Sequence, residues 1–397
     1  MAVDGGPGTG RDAGDADGGR ALATIDLDAV AANIGVLRTA AGRRQFMAVV
    51  KADAYGHGVA AVAPAARAAG ADWLGVALPA EAVALRRAGD TGPLMAWLFT
   101  PGDDLVAAVG LDVDLSAGAP WAVAAVSAAA QRAGRRARLH LKVDTGLGRG
   151  GAPPAAWPDL LAAAVRAERE GSVEVVGIWS HLACGDEPDL LVTRAQCAVF
   201  DAAVATARRQ GVEPELRHIA ASGATLLDPQ AGYDMVRCGI AVYGLSPGAA
   251  MGSSAALGLR PAMTVTARVA GVKRVPAGHG VSYGLAYRTA APTTLVLVPA
   301  GYADGVPRHG SGALPVRING HRCTVAGRIA MDQFVVDVGD LEVAPGDPVL
   351  LFGADPDGPT ADDWGAACGT INYEIVTRLG ARIPRRHIRT RPAGGEQ

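Results

Sequence analysis

The sequence predicts an α/β protein: an N-terminal (β/α)8 barrel of the TIM type followed by a C-terminal mainly-β domain. Three observations carry this expectation. Short apolar runs alternate with Ala-rich amphipathic stretches from Ala21 onward, eight such runs precede Gly258, and beyond it β-branched segments separated by Pro and Gly turns take over. At 397 residues the chain exceeds one ordinary domain, which suits a large barrel with an addition.

The elements follow in order. Leu27, Val30, Ile34 and Leu37 recur at helical spacing. Barrel strands are read at 46–50, 73–77, 94–99, 113–115, 139–143, 175–178, 216–219 and 235–237. An open doubly wound sheet alternates in the same way, but no GxGxxG turn follows an early strand, and eight units is the barrel's number. The later strands are read at 263–269, 295–298, 316–318, 334–338 and 349–352, with no helical stretch of comparable length. The expected partition is a disordered tail over 1–20, the barrel over 21–258, the β domain over 259–388 and a second tail over 389–397. No repeat of fixed period is visible.

Composition narrows the function. Lys and Arg total 37 against 39 Asp and Glu, so no global field favours nucleic acid or an anionic membrane, and a small molecule is the natural partner. The five cysteines are scattered and form no CxxC pair, which argues against a zinc or redox site and fits a reducing cytoplasm. No metal is called for. The Gly- and Asp-rich N-terminus lacks the apolar core of a signal peptide, and no run of some 18 apolar residues suggests a membrane span.

In a barrel, chemistry gathers where strands end and βα loops begin. Lys51 stands there, closing an otherwise apolar strand. Partial burial lowers an amine's pKa and suits it to a Schiff base, although a lysine snorkelling to the rim fits this one segment equally well.

The surrounding motifs decide between them. Val49-Val50-Lys51-Ala52-Asp53-Ala54-Tyr55-Gly56-His57-Gly58 resembles the lysine motif of alanine racemases, which use pyridoxal 5'-phosphate (PLP). Further similar segments follow in the family's order: 142–149 (KVDTGLGR), 235–244 (MVRCGIAVYG), 281–284 (VSYG), 301–305 (GYADG), 327–332 (GRIAMD) and 370–374 (TINYE). The resemblance spans residues 21 to about 386, nearly the whole chain.

The resemblance implies interconversion of L- and D-alanine, supplying D-alanine for peptidoglycan, by two bases on opposite faces of the substrate. These are Lys51, which also holds PLP, and Tyr283. His181 matches the histidine that hydrogen-bonds this tyrosine. Tyr55, Ser222, Gly239, Ile240 and Tyr373 match the phosphate site, and Arg237, oriented by His218, matches the donor to the pyridine nitrogen. Arg149 matches the grip on the substrate carboxylate and the PLP phenolic oxygen. Lys142 corresponds to a lysine that is usually carbamylated and steadies that arginine. Met331 would offer its backbone N–H to the carboxylate, with Asp332 in support beside it, and Asp186, Tyr302, Arg308 and Arg328 match the entrance. The family pattern is a homodimer with shared active sites. Ala221 and Ala330 depart from it, standing where Asn and Cys are common.

Other functions remain comparable in plan. PLP-dependent amino-acid decarboxylases share the two domains, but their Gly-rich phosphate loop is missing here. Non-catalytic PLP carriers resemble the barrel alone, and racemases of serine or a broader substrate range share the motifs.

Overall fold

The computed structural model describes residues 19–389. Apart from Gly19, Arg20 and Arg389, both expected tails lie outside the described residues.

Eight parallel strands form the barrel in sequential order: Gln45–Val49, Trp73–Val76, Leu94–Ala96, Asp114–Ala117, Ala137–Lys142, Val173–Trp179, Leu216–His218 and Met235–Cys238. The first pairs back with the eighth, Met47 opposite Arg237. The remaining seam, between seventh and eighth, is drawn together by the Ala221–Arg237 bridge and by Arg237 N–H donating to the Ala220 carbonyl at 3.0 Å. Parallel strands buried on both faces favour short runs rich in apolar residues, and their regular alternation with Ala-rich stretches made all eight visible in the sequence even where Asp114, His140, His218 and Arg237 interrupt them. The helix Leu27–Ala41 buries Leu27, Val30, Ile34 and Leu37, begins where the Asp26 carboxylate caps the Asp28 and Ala29 N–H groups, and ends at Gly42 in a positive-φ conformation.

The second domain is built on a nine-stranded sheet in the order Gly271–Val275, Thr293–Val298, Phe334–Asp337, His321–Val325, Pro315–Ile318, Pro348–Phe352, Met263–Arg268, Ala21–Asp26 and Arg385–Ile388. Two corrections to the expected partition follow. Residues 21–26, assigned to the barrel, lie in this sheet, antiparallel to Met263–Arg268 and parallel to Arg385–Ile388. Arg20, assigned to the tail, donates to the Pro299 carbonyl at 2.6 Å and pairs with the fully buried Asp304 carboxylate. Both attachments join residues more than 200 positions apart, so no local pattern could reveal them.

The second domain also clamps the barrel mouth. Arg385 donates to the Gly56 carbonyl at 3.0 Å, His387 to the His57 carbonyl at 2.8 Å, and Asn372 to the Ser246 carbonyl at 2.9 Å.

Candidate active site

Lys51 follows the first barrel strand, and the backbone after it takes a rare course. Ala52, Asp53, Ala54 and Tyr55 all have φ between 52° and 54°, a left-handed turn without a glycine. Each such residue costs about 1–2 kcal/mol, so the fold must enforce the conformation. Ala52 N–H donates to Glu81 at 2.6 Å, the Asp53 carboxylate receives Val59 N–H at 2.7 Å, and Ala54 N–H reaches the Val50 carbonyl at 2.9 Å. Gly56, also at positive φ, lies so close to the second domain that an added Cβ would stand 2.5 Å from the Val376 carbonyl oxygen. The turn leaves Lys51 partly exposed at the mouth and buries Tyr55 beside it.

The Lys51 ammonium lies 5.8 Å from the Tyr55 ring centroid and 6.0 Å from that of Trp97. Burial, followed by the neighbouring Arg149 charge, holds its pKa below the usual lysine range. Tyr55 packs against Tyr243 and Tyr373 with ring centroids 4.9 and 6.3 Å away, and burial holds the phenols of Tyr55 and Tyr373 above their ordinary range, hence as neutral O–H groups.

Loops after the seventh and eighth strands complete a cradle. Ser222 Oγ accepts from Gly239 N–H at 2.9 Å and Ala241 N–H at 3.4 Å, tying the start of helix Ser222–Leu227 to the turn Ile240–Tyr243. First turns of helices carry N–H groups without intrahelical partners. At Gly239 a Cβ would stand 2.3 Å from the Tyr55 hydroxyl, so only glycine leaves this space open. Loops after strands seven and eight are where barrels commonly hold phosphate, and hydroxyls, N–H groups and a poised amine fit PLP. The five residues matched to the phosphate, together with Lys51, are thus brought together by one chain.

The floor is cationic and aromatic. Arg237, buried, donates to the Ser180 and Ile219 carbonyls at 2.8 and 3.1 Å and to His218 Nδ1 at 3.0 Å, while His181 Nδ1 lies 3.3 Å from the same guanidinium. Burial pushes the Arg237 pKa down to about 9, which leaves it a cation at neutral pH. Burial and then the Arg237 charge push His181 down to about 3 and His218 well below the usual histidine range, so both imidazoles are neutral. Lys142 is pushed down to about 8 by burial and then by Arg237 and Arg149. Asp186 lies on the loop after the sixth strand, beside Gly248.

Sequence reasoning overlooked Trp179. Its ring stacks on His218 at 5.7 Å and 12°, and lies 4.2 Å from the Lys142 ammonium and 4.9 Å from the Arg237 guanidinium carbon. The signal was its place two residues before His181.

The remaining candidates form a second cluster on the β domain. Ser282 Oγ donates to the Arg328 carbonyl at 2.5 Å, and Tyr302 and Ala303 N–H donate to the Ala330 and Met331 carbonyls at 3.0 and 2.9 Å. Ser311 Oγ receives Ile329 N–H at 3.1 Å and donates to the Arg308 carbonyl at 2.6 Å. Asp332 pairs with Arg382 at 2.7 Å. Tyr283 and Met331 are 67% and 53% exposed, and among the described residues no hydrogen bond joins either side chain to the Lys51 cluster of the same chain.

Residues 25–247 match the family model described as the alanine racemase N-terminal domain, and residues 262–387 match the alanine racemase C-terminal domain. The chain is 54% identical over 370 residues to an alanine racemase of Frankia casuarinae, covering 93% of this chain and 96% of that one. It is likewise 54% identical over 375 residues to one of Streptomyces coelicolor, covering 93% and 96%. Among solved structures, the alanine racemase from D-cycloserine-producing Streptomyces lavendulae superposes with a TM-score of 0.92 at 53% identity, covering 95% of this chain and 98% of that one. With both of its domains and all seven of its motif segments matched in order, the chain belongs to the alanine racemase family.

Proposed function

We propose that the chain interconverts L- and D-alanine with PLP held on Lys51, in a homodimer whose active sites each draw on both subunits. The carrying observation is the Lys51 amine, held below its usual pKa beside the Tyr55, Ser222 and Gly239 cradle. When bound, PLP supplies an electron sink that makes the substrate α-proton labile.

The residues then divide the work. Lys51 removes or returns the proton on one face, its lowered pKa keeping more of it as the free amine. Tyr283 of the partner subunit serves the other face. His181 accepts from Arg237 at Nδ1, so its proton sits on Nε2, from which it can donate to that tyrosine's oxygen and stabilise the phenolate. Arg237 would donate to the pyridine nitrogen of bound PLP without surrendering its proton, while Arg149 of the same chain and the partner subunit's Met331 would hold the substrate carboxylate. With a pKa of about 8, Lys142 has a neutral fraction that can bond to CO2 through Nζ with release of a proton. The carbamate so formed would place an anion among Lys51, Arg149 and Arg237, whose charges bear on this lysine or its neighbours.

Exposure of Tyr283 and Met331 supports the shared site, because a two-fold pair can lay each β-domain cluster over the other subunit's barrel mouth. The test is borohydride reduction of the purified protein followed by peptide mapping. The label should be on Lys51; a label on another lysine, or none, would overturn the assignment.

A further inference from the structure

A line of buried polar side chains leads away from Arg237 through the barrel interior, and the mechanism above uses only its first members. From Arg237 Nη1 it runs 3.0 Å to His218 Nδ1, from His218 Nε2 3.0 Å to His140 Nδ1, and from His140 Nε2 3.1 Å to an Asp114 carboxylate oxygen. His140 and His218 are 0% exposed, Asp114 3% and Arg237 4%, so water cannot supply the missing partners. We infer that Asp114, acting through His140 and His218, is the remote counter-charge and positioning residue of Arg237.

Hydrogen-bond chemistry fixes the direction of the line. Arginine can only donate, so His218 must accept at Nδ1 and carry its proton on Nε2. That proton requires His140 to accept at Nδ1 and carry its own on Nε2, where Asp114 receives it. No other placement leaves each contact with one donor and one acceptor. The carboxylate is therefore the terminus that polarises the whole series toward Arg237, strengthening the bond that aims its guanidinium. Arg138 holds the other side of Asp114, its Nε donating to both oxygens at 3.1 and 3.2 Å. The hydrogen bonds of Arg237 itself end on carbonyls and imidazoles, so the nearest anion in its network is Asp114.

The barrel is shaped for this line. Asp114, His140, His218 and Arg237 stand on the fourth, fifth, seventh and eighth strands, and the line steps past the sixth. There Gly177 is paired opposite His140, and a Cβ at Gly177 would stand 2.1 Å from His140 Nδ1, the atom that accepts from His218. Two residues on, Trp179 stacks on His218 and fixes its ring plane. The glycine is the opening that lets two histidines meet across an intervening strand.

The catalytic consequence rests on the reading that Arg237 faces the PLP ring; the proton positions do not. Neutron diffraction, or 15N spectra of histidine-labelled wild-type protein, should find the protons of His140 and His218 on Nε2. A proton on Nδ1 of either ring would overturn the inference, whether or not Lys51 carries PLP. Asp114→Asn keeps the shape and removes the charge. With Arg237 less firmly held, kcat should fall about 10- to 100-fold while KM for alanine changes less than about twofold, and the His218 15N pattern should shift. An unchanged kcat and an unchanged pattern in a folded variant would refute the role of Asp114. Gly177→Ala, which pushes His140 out of line without touching any charge, should reproduce the kcat loss; normal turnover in that variant would also overturn it. If neither variant folds, the wild-type proton positions still decide.

Discussion

Replacing Gly239 with alanine tests the cradle at its tightest point. The new methyl would lie 2.3 Å from the Tyr55 hydroxyl oxygen and 3.0 Å from its Cζ. Non-bonded heavy atoms settle near 3.5–4.0 Å, so the oxygen is overlapped by roughly 1 Å. Tyr55 is 8% exposed and walled by Tyr243 and Tyr373, so it can yield only by repacking, at about 1–3 kcal/mol. On the proposed PLP assignment, a displaced hydroxyl also loses its hydrogen bond to the phosphate, about 1.5–3 kcal/mol, or roughly 10- to 150-fold in PLP affinity. Apo-protein titrated with PLP should show that loss, and thermal melting should show the repacking cost. Tyr55→Phe should lose the affinity but keep the stability, since the clashing oxygen is gone. In the double variant the two changes should be less than additive, because phenylalanine makes room for the methyl. Full additivity, or an unchanged affinity in Gly239→Ala, would refute the argument that Tyr55 and Gly239 form one contact at the phosphate.

Mixed dimers of Lys51→Ala and Tyr283→Phe chains, each nearly inactive alone, should regain activity because one of the two sites is intact; verified but inactive heterodimers would rule out a shared site. Tyr283→Phe should slow solvent deuterium entry from L-alanine more than from D-alanine, whereas equal slowing would assign Tyr283 to positioning. Incubation with 13C-bicarbonate should give a carbamate carbon signal that Lys142→Ala abolishes, and its absence in the parent would remove the carbamate. His57 is buried neutral with its pKa pushed down from 6.5 to about 4, so on acidification the unfolded chain takes up the proton first. The stability this represents is whole above pH 6.5 and is lost as pH falls toward 4. Urea denaturation should show about 2 kcal/mol less stability at pH 5 than at pH 7 from this residue, and His57→Gln should remove that part of the pH dependence; an equal slope in both proteins would contradict it.

The candidate site was legible where local chemistry is distinctive. Gly239 and Arg237 stood out through resemblance to the family's motifs, and Lys51 also as a lysine ending an apolar strand. Trp179, Gly177, His140 and Asp114 did not, because a tryptophan, a glycine, a histidine and an aspartate in strands have many ordinary uses. Their significance appears only when strands four to eight are curled into one interior layer.

The sequence left unread the strands Gly271–Val275, His321–Val325 and Arg385–Ile388 and the helices Ala361–Cys368 and Asn372–Thr377, but by itself it determined the eight barrel strands, five of the later β segments and the change of texture near Gly258. These follow from local period and local composition, which need no partner to be read. Tertiary structure alone decided that Ala21–Asp26 pairs with strands at the far end of the chain. It also decided that Ala52–Tyr55 turns left-handed without a glycine, because the Glu81 contact and the second domain's grip on Gly56 come from distant segments. The lowered pKa values of Lys51, Lys142 and His181 are decided there too, since desolvation and the nearness of other charges are properties of the assembled barrel mouth, not of any stretch of sequence.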